Sequence, residues 1–328
     1  MRRSLTVGAG ISVVVVCLAV RYWLATTPFL AETYYDEALT GLMGLAILRG
    51  EPQVFYWGQP YLGAIEGYVA ALGFWIAGAS TLTLRMTEVV AALGWMWAVW
   101  SVARRIGREP WGLVAGLAVA LPPVFLTFAQ LSAHGQSLSV TLGALVLAAG
   151  AALLDARSGP RGRAGAWVLL GLAAGLGWWA SQVSVMFLAA VGLVLVVARP
   201  RAFLGPGPYA ALGLFVVTSL PFWVWNVQHE WATFRHLLSW GDPLPPEWSI
   251  RFARVADTLL LTLHGGVWDG KAIQRPPSVV VLGWIAVATF YVPGVVLAGV
   301  QLARWGGRLW RWERPGKGRS TSSRSRSG

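Results

Sequence analysis

Long apolar runs separated by short polar segments dominate the chain, and several reach the roughly 20 residues that a membrane-spanning helix needs. The runs are continuous rather than alternating, which favours helices over the strands of a β-barrel. The pattern therefore predicts an all-α, polytopic integral membrane protein with about eight transmembrane helices. The predicted crossings are residues 5–25, 83–102, 111–128, 137–154, the two halves of 164–197, 209–225 and 278–302.

Two further apolar segments lie between the first and second predicted crossings. Residues 36–48 have apolar side chains at helical spacing but are too short to span, so we expect a surface-lying helix. Residues 61–79 are nearly long enough to cross. We predict a second surface-lying or half-buried helix there, because a crossing would turn the arginines at 104–108 outward. Both helices belong to a predicted first outer loop, residues 28–82.

Basic residues set the predicted orientation. The chain has 26 Lys and Arg against 14 Asp and Glu, but the basic residues lie in short clusters between apolar runs. This distribution follows the positive-inside rule and disfavours nucleic-acid binding. It predicts a multi-pass membrane protein with both termini cytoplasmic. The predicted organisation is a transmembrane domain at 1–303, with an outer cap loop at 226–277, and a basic tail at 304–328, disordered at its end.

Acidic residues concentrate in the first outer loop. Asp36, Glu37, Glu51 and Glu66 lie there among aromatic side chains, soon after the first crossing. Acidic groups against a bilayer are costly and usually functional, so the cluster predicts an active site at the non-cytoplasmic surface. Asp36 and Glu37 are the catalytic candidates. The alternative for both is helix capping, because both open the helix at 36–48.

Other polar side chains are expected at the same surface. Arg85 starts the crossing at 83–102 and could clamp a lipid phosphate, or it could pair with Glu88 one turn on. His134 could bind phosphate or sugar, or could be a structural histidine. The remaining candidates for substrate binding are Gln59, Tyr61, Glu66 and Gln136.

The aromatic side chains of the first loop have two interpretations. Tyr56, Trp57 and Tyr61 could stack on a sugar ring, or they could form an interfacial belt. No metal site is predicted, because the histidines of the outer cap loop lack metal-ligand spacing.

The order of these pieces resembles the GT-C superfamily of membrane glycosyltransferases. A crossing is followed by Asp36-Glu37, a surface helix, an aromatic-Pro segment, then Gly78-Ala79-Ser80 and Leu84-Arg85. The likeness is to the bacterial proteins grouped with dolichyl-phosphate-mannose–protein mannosyltransferases and lipid A aminoarabinose transferases. It implies a location in a bacterial-type plasma (inner) membrane. It covers residues 5–123, thins towards 154 and returns only at 226–238, so we expect a short or C-terminally reduced member.

The resemblance implies an inverting hexosyl- or pentosyltransferase. Such an enzyme moves a sugar from a polyprenyl-phosphate carrier in the membrane to a hydroxyl of a glycan, lipid or protein, and its catalytic Asp falls on Asp36. A sugar phosphate already has a good leaving group, so one carboxylate that deprotonates the acceptor suffices. No cofactor is certain, although a divalent cation could assist. The rival interpretations are a non-catalytic GT-C relative and a lipid or sugar transporter (flippase).

Overall fold

The computed structural model describes residues 2–26, 33, 35–121, 131 and 137–239. The chain divides into two compact units, Met1–Thr258 and Leu259–Gly328, and the second lies wholly outside the described residues. The predicted crossing at 278–302, the tail at 304–328 and most of the cap loop at 226–277 therefore also lie outside them.

The described part of the first unit is built almost entirely from helices. Between α2 and α3, two short antiparallel strands form a hairpin. In chain order the elements are α1 Arg2–Thr26, α2 Tyr35–Leu48, β1 Phe55–Tyr56, β2 Gln59–Gly63, α3 Ile65–Ala77, α4 Thr81–Gly107, α5 Glu109–Ala120, α6 Ser137–Leu154, α7 Pro160–Ala180, α8 Val185–Ala198, α9 Pro206–Gln228 and α10 Ala232–Ser239.

The apolar length of the helices agrees with a polytopic membrane protein. Among the described residues, four segments are long and apolar enough to cross a membrane, namely Val7–Thr26, α4, α6 and α9. The shorter apolar helices are α3, α5 and Gln182–Ala198, while α7 is in neither group. The predicted crossing at 111–128 is described only as far as the end of α5. The total number of crossings thus stays a prediction.

Consecutive helices from α4 to α9 alternate in direction, so their connections collect at two ends of the unit. Ser137 at the start of α6 bonds Glu88 near the start of α4. Arg157, after α6, donates to the carbonyl of Arg105 near the end of α4, at 2.7 Å. We call the first end the acidic end, defined by Asp36, Glu37, Glu66 and Glu88, and the second the basic end, defined by the arginines within 104–108, 157–163 and 199–201.

The predicted reversal inside residues 164–197 is confirmed. α7 ends at Ala180, and a 3-10 turn at Gln182–Ser184 leads into α8. Arg199, just after α8, donates to the carbonyl of Leu154 at the end of α6, at 3.1 Å. The chain therefore returns to the basic end within this segment, as the arginines on both sides of it predicted.

The core of the unit lies between α6, α7, α8 and α9. Buried apolar side chains such as Val146, Leu170 and Leu195 meet there. α7 and α9 run parallel and approach closely at Gly171 and Gly175, where an added Cβ would collide with the backbone of α9. Small residues at such contacts are typical of helices packed within a membrane.

The first loop departs from the prediction of one helix over 61–79. Within this segment, residues 61–63 belong to strand β2, and α3 starts only at Ile65. Gly58, with φ of 76°, sits in the two-residue turn between the strands, where a positive φ is needed. Phe55 of β1 packs against Trp225 of α9 with ring centroids 4.6 Å apart. Because this contact joins distant parts of the chain, local periodicity could not predict the hairpin.

Candidate active site at the acidic end

Asp36 and Glu37 occupy the first turn of α2, but their side chains have different surroundings. Glu37 is buried, whereas Asp36 is only partly buried. The main-chain carbonyl of Asp36 accepts hydrogen bonds from the Tyr56 hydroxyl, at 2.5 Å, and from the Thr40 hydroxyl, at 3.1 Å. These bonds fix the start of α2 against β1. Within the described residues the Asp36 carboxylate itself has no hydrogen bond or ion pair.

Two tyrosine hydroxyls of the hairpin lie in the field of the Asp36 carboxylate. Burial raises the pKa of Tyr56 to about 12; the hydrogen bond with Thr40 opposes this rise, and the charge of Asp36 adds to it. Burial and then the charge of Asp36 also raise the pKa of Tyr61. Both hydroxyls therefore stay protonated at neutral pH, and both can donate hydrogen bonds.

Glu37 and Arg85 form a buried ion pair. Arg85 donates from Nε and Nη2 to the two carboxylate oxygens of Glu37, at 2.6 and 3.1 Å, and from Nη1 to the carbonyl of Ala25, at 3.2 Å. The pair thus joins the end of α1, the start of α2 and α4. This arrangement favours a structural role over the predicted catalytic and phosphate-binding roles, because breaking a buried pair costs several kcal/mol. The alternative, a pair between Arg85 and Glu88, is not the one observed, because Arg85 pairs with Glu37 on another helix.

Glu66 and Glu88 meet at the start of α6. Oε1 of Glu66 accepts from the backbone N–H of Leu138, at 3.2 Å, and lies 3.5 Å from the Ser137 hydroxyl. The same hydroxyl reaches Glu88, so its single proton serves one carboxylate at a time. Glu66 therefore caps a helix whose first N–H groups lack partners within the helix. It was predicted to bind a sugar, and its buried position favours this capping role.

Gln59 and Tyr61, both predicted to bind substrate, lie together on β2. The Tyr61 hydroxyl donates to Oε1 of Gln59, at 2.9 Å. The Tyr61 ring stacks on His236 of α10, with centroids 5.1 Å apart and planes 7° apart. α10 is tied to this strand because the Thr233 hydroxyl donates to the carbonyl of Pro60. The structure thus adds His236 to the site.

The sequence contained one signal for His236, namely the second stretch of family likeness at 226–238. Periodicity alone placed this histidine only in the outer cap loop. His134 and Gln136 lie outside the described residues. No group of three or more His, Cys, Asp or Glu within the described ranges could hold a metal ion.

Arg21 of α1 is a second residue whose role the apolar pattern of the sequence did not predict. It is fully buried and donates to the carbonyls of Val119 and Ala120, at 3.0 and 3.2 Å, and to Sγ of Cys17, at 3.0 Å. The sequence continues with Pro122-Pro123, which have no backbone N–H to offer the end of α5. Arg21 therefore caps the carboxyl end of α5. Its position inside an apolar run is the signal in the sequence that could have identified this role.

These features define a helical membrane protein that buries an ion pair and charged helix caps at one end of the bundle. A family model described as dolichyl-phosphate-mannose-protein mannosyltransferase matches residues 63–225, about half of the chain. The match confirms, over these residues, the predicted resemblance to membrane glycosyltransferases of the GT-C superfamily. No curated protein and no solved structure matches the chain. The matched residues include Glu66 and Arg85 but not Asp36 or the Gln59–Tyr61 pair.

Proposed function

We propose that the chain transfers a sugar from a polyprenyl-phosphate carrier to a hydroxyl acceptor, with Asp36 as the general base. One observation carries this assignment. Glu37, Glu66 and Glu88 are buried and bonded, whereas Asp36 is partly buried and its carboxylate has no hydrogen bond or ion pair in the part of the chain that the structure describes. A general base must reach the proton that it removes, which favours Asp36. The family match supports glycosyl transfer but does not reach this residue.

The reaction needs one proton transfer and one displacement. The Asp36 carboxylate takes the proton of the acceptor hydroxyl while the hydroxyl oxygen attacks the anomeric carbon. The bond from that carbon to the phosphate oxygen breaks, and the carrier leaves with the electron pair as polyprenyl phosphate. Attack from the opposite face inverts the anomeric configuration, and the protonated Asp36 then releases its proton to water.

The neighbouring groups have supporting roles in this proposal. Tyr56 and Thr40 hold the backbone of Asp36, so the carboxylate is positioned by the hairpin as well as by α2. Tyr61, stacked on His236 and hydrogen-bonded to Gln59, offers a flat aromatic surface for a sugar ring. The acidic end would face the non-cytoplasmic side, because the arginine clusters lie at the other end of the bundle.

Substitution of Asp36 tests the proposal directly. We expect Asp36→Asn to reduce transfer from radiolabelled polyprenyl-phosphate sugars to an acceptor alcohol by about 10²–10⁴-fold, with unaltered thermal unfolding, because the base is lost and the shape is kept. Glu51→Gln is the matched control: Glu51 lies in the same loop, is exposed and pairs only with exposed Arg49 among the described residues, so transfer should persist. Unchanged transfer by Asp36→Asn would refute Asp36 as base. Absence of transfer by the unaltered chain would favour the non-catalytic interpretation.

A further inference from the structure

The basic end carries charge that the proposed reaction does not use. Its three connections, residues 104–109, 155–163 and 199–205, contain eight arginines and only two acids, Glu109 and Asp155. Some of these arginines have evident structural partners and others do not. The arginines without structural partners are the ones whose positions need another explanation.

Four arginines hold the connections together. Arg157 bonds Asp155, at 2.9 Å, and the carbonyl of Arg105 in the neighbouring connection. Arg199 bonds the carbonyl of Leu154. Arg105 donates to Ser101, and Arg104 lies 4.3 Å above the Trp100 ring and 3.8 Å from Glu109. Fold stability accounts for the positions of these four.

The other four arginines are Arg108, Arg161, Arg163 and Arg201. Their side chains are exposed and have no hydrogen bond or ion pair with any residue that the structure describes. Helix stability does not account for Arg161 and Arg163, because cations in a first helical turn oppose the helix dipole. Arg108 has φ of 74°, a backbone conformation that glycine adopts more easily, so the local backbone does not require an arginine either.

We infer that these four arginines form a binding surface for the phosphate headgroups of anionic membrane lipids. The flanking side chains favour a lipid over a free phosphate ion. Ile106, Trp111 and Leu204, at the same end of the bundle, are exposed apolar groups that fit the acyl chains and glycerol region of a lipid. Anionic leaflets attract basic side chains by about 1 kcal/mol each, so four arginines give a substantial preference.

The test compares lipids that differ only in headgroup charge. The full chain is purified in a neutral detergent, and its binding of phosphatidylglycerol and phosphatidylcholine is measured by native mass spectrometry. We expect clear preference for phosphatidylglycerol. A quadruple variant should lose this preference; its changes are Arg108→Gln, Arg161→Gln, Arg163→Gln and Arg201→Gln. The affinity ratio of the two lipids should fall roughly fivefold for each arginine removed, because each contributes an attraction of about 1 kcal/mol. Inorganic phosphate in excess should not displace the lipid.

Two matched variants keep the result interpretable. The same four positions changed to Lys retain the charge and should retain the preference. Arg49→Gln, at the acidic end, should leave it unaltered. If the quadruple Gln variant does not fold, the four single Gln variants are compared, and each should lose preference. Equal binding of the two lipids by the unaltered chain, unaltered preference in the Gln variants, or displacement by inorganic phosphate would each overturn the inference.

Discussion

The Glu37–Arg85 pair at the acidic end and the Asp155–Arg157 pair at the basic end differ in burial. At the acidic end, Glu37 and Arg85 are 1% and 4% exposed and joined at 2.6 Å. At the basic end, Arg157 is 65% exposed even though it pairs with Asp155 at 2.9 Å. A buried ion must be matched by a partner in the right place, whereas an exposed ion is stabilised by water. The exact position of each charge therefore matters for the buried pair, whereas the exposed arginines of the basic end can act through their number.

This difference matches the two roles that we propose. A general base has to lie within hydrogen-bond distance of one proton, so its surroundings must be rigid. Attraction to lipid headgroups needs only enough positive charge at the right depth. Substitutions at each end should show this difference, with the largest loss of stability at the buried pair and the smallest at the exposed pair.

The largest expected effect comes from breaking the Glu37–Arg85 pair. Arg85→Met should lower the free energy of unfolding by about 3–5 kcal/mol, because Glu37 would stay buried without its partner. The measurement is denaturant unfolding of the detergent-solubilised chain. The double variant with Glu37→Met should recover much of the loss. A single variant that loses less than about 1 kcal/mol would show that the pair is not buried as described.

The next effect concerns the cap that Arg21 provides. Arg21→Met should lower the free energy of unfolding by about 1–3 kcal/mol, because two carbonyls at the end of α5 lose their donor. Arg163→Gln is the matched arginine at the basic end and should change stability by no more than about 0.5 kcal/mol. Thermal unfolding of both variants under one condition checks the contrast. Equal losses would remove the distinction between the two ends.

Removal of the Tyr56 hydroxyl should cost about 1 kcal/mol at neutral pH, because the hydrogen bond to the Asp36 carbonyl is lost. It should also alter alkaline unfolding. Since burial raises the pKa of Tyr56 to about 12, the stability linked to its proton is complete below the unfolded pKa, about 10, and is lost as pH rises through 12. The difference in free energy of unfolding between the unaltered chain and Tyr56→Phe should therefore become smaller from pH 9 to 12. A difference that stays constant over this pH range would contradict the raised pKa of Tyr56.

The smallest effect is expected for Asp155→Asn at the basic end. The hydrogen bond from Arg157 lowers the pKa of Asp155, so its stabilisation is present above the unfolded pKa, about 4, and is lost as pH falls through the folded value. The pair with Arg157 is solvent-exposed, so the loss at neutral pH should stay below about 1 kcal/mol. Unfolding at pH 7 and at pH 3 checks both the size and the sign. A larger loss at pH 7 would place this pair in the buried class.

Much of the helical frame could be predicted from local properties. Residues 137–154 were predicted as a helix with the bounds that α6 has, and residues 36–48 match α2 to within one residue. Apolar length and helical spacing depend only on neighbours in sequence, so they can be read without tertiary structure. The separation of acidic and basic connections was also predictable, because each crossing reverses the side on which the next charges lie.

The partners within the site could not be predicted in the same way. Arg85 has Glu88 three residues away, yet it pairs with Glu37 on another helix. Glu66 was a candidate for sugar binding, and the structure shows its Oε1 bonded to the backbone N–H of Leu138 at the start of α6. His236 reaches Tyr61 only because α10 packs on the hairpin. Each pairing joins segments that are distant in sequence, so spacing along the chain carries no signal for it.

The sequence by itself therefore determined the class of protein, the position of most of the described helices and the end of the bundle that receives the acidic cluster. These follow from the cost of placing charge and unpaired backbone in lipid, which acts on each segment separately. Tertiary structure decided which carboxylates are held by partners, and which one, Asp36, has no hydrogen bond or ion pair among the described residues. That choice depends on close packing between helices, since a buried charge is stable only where another segment brings its partner within bonding distance.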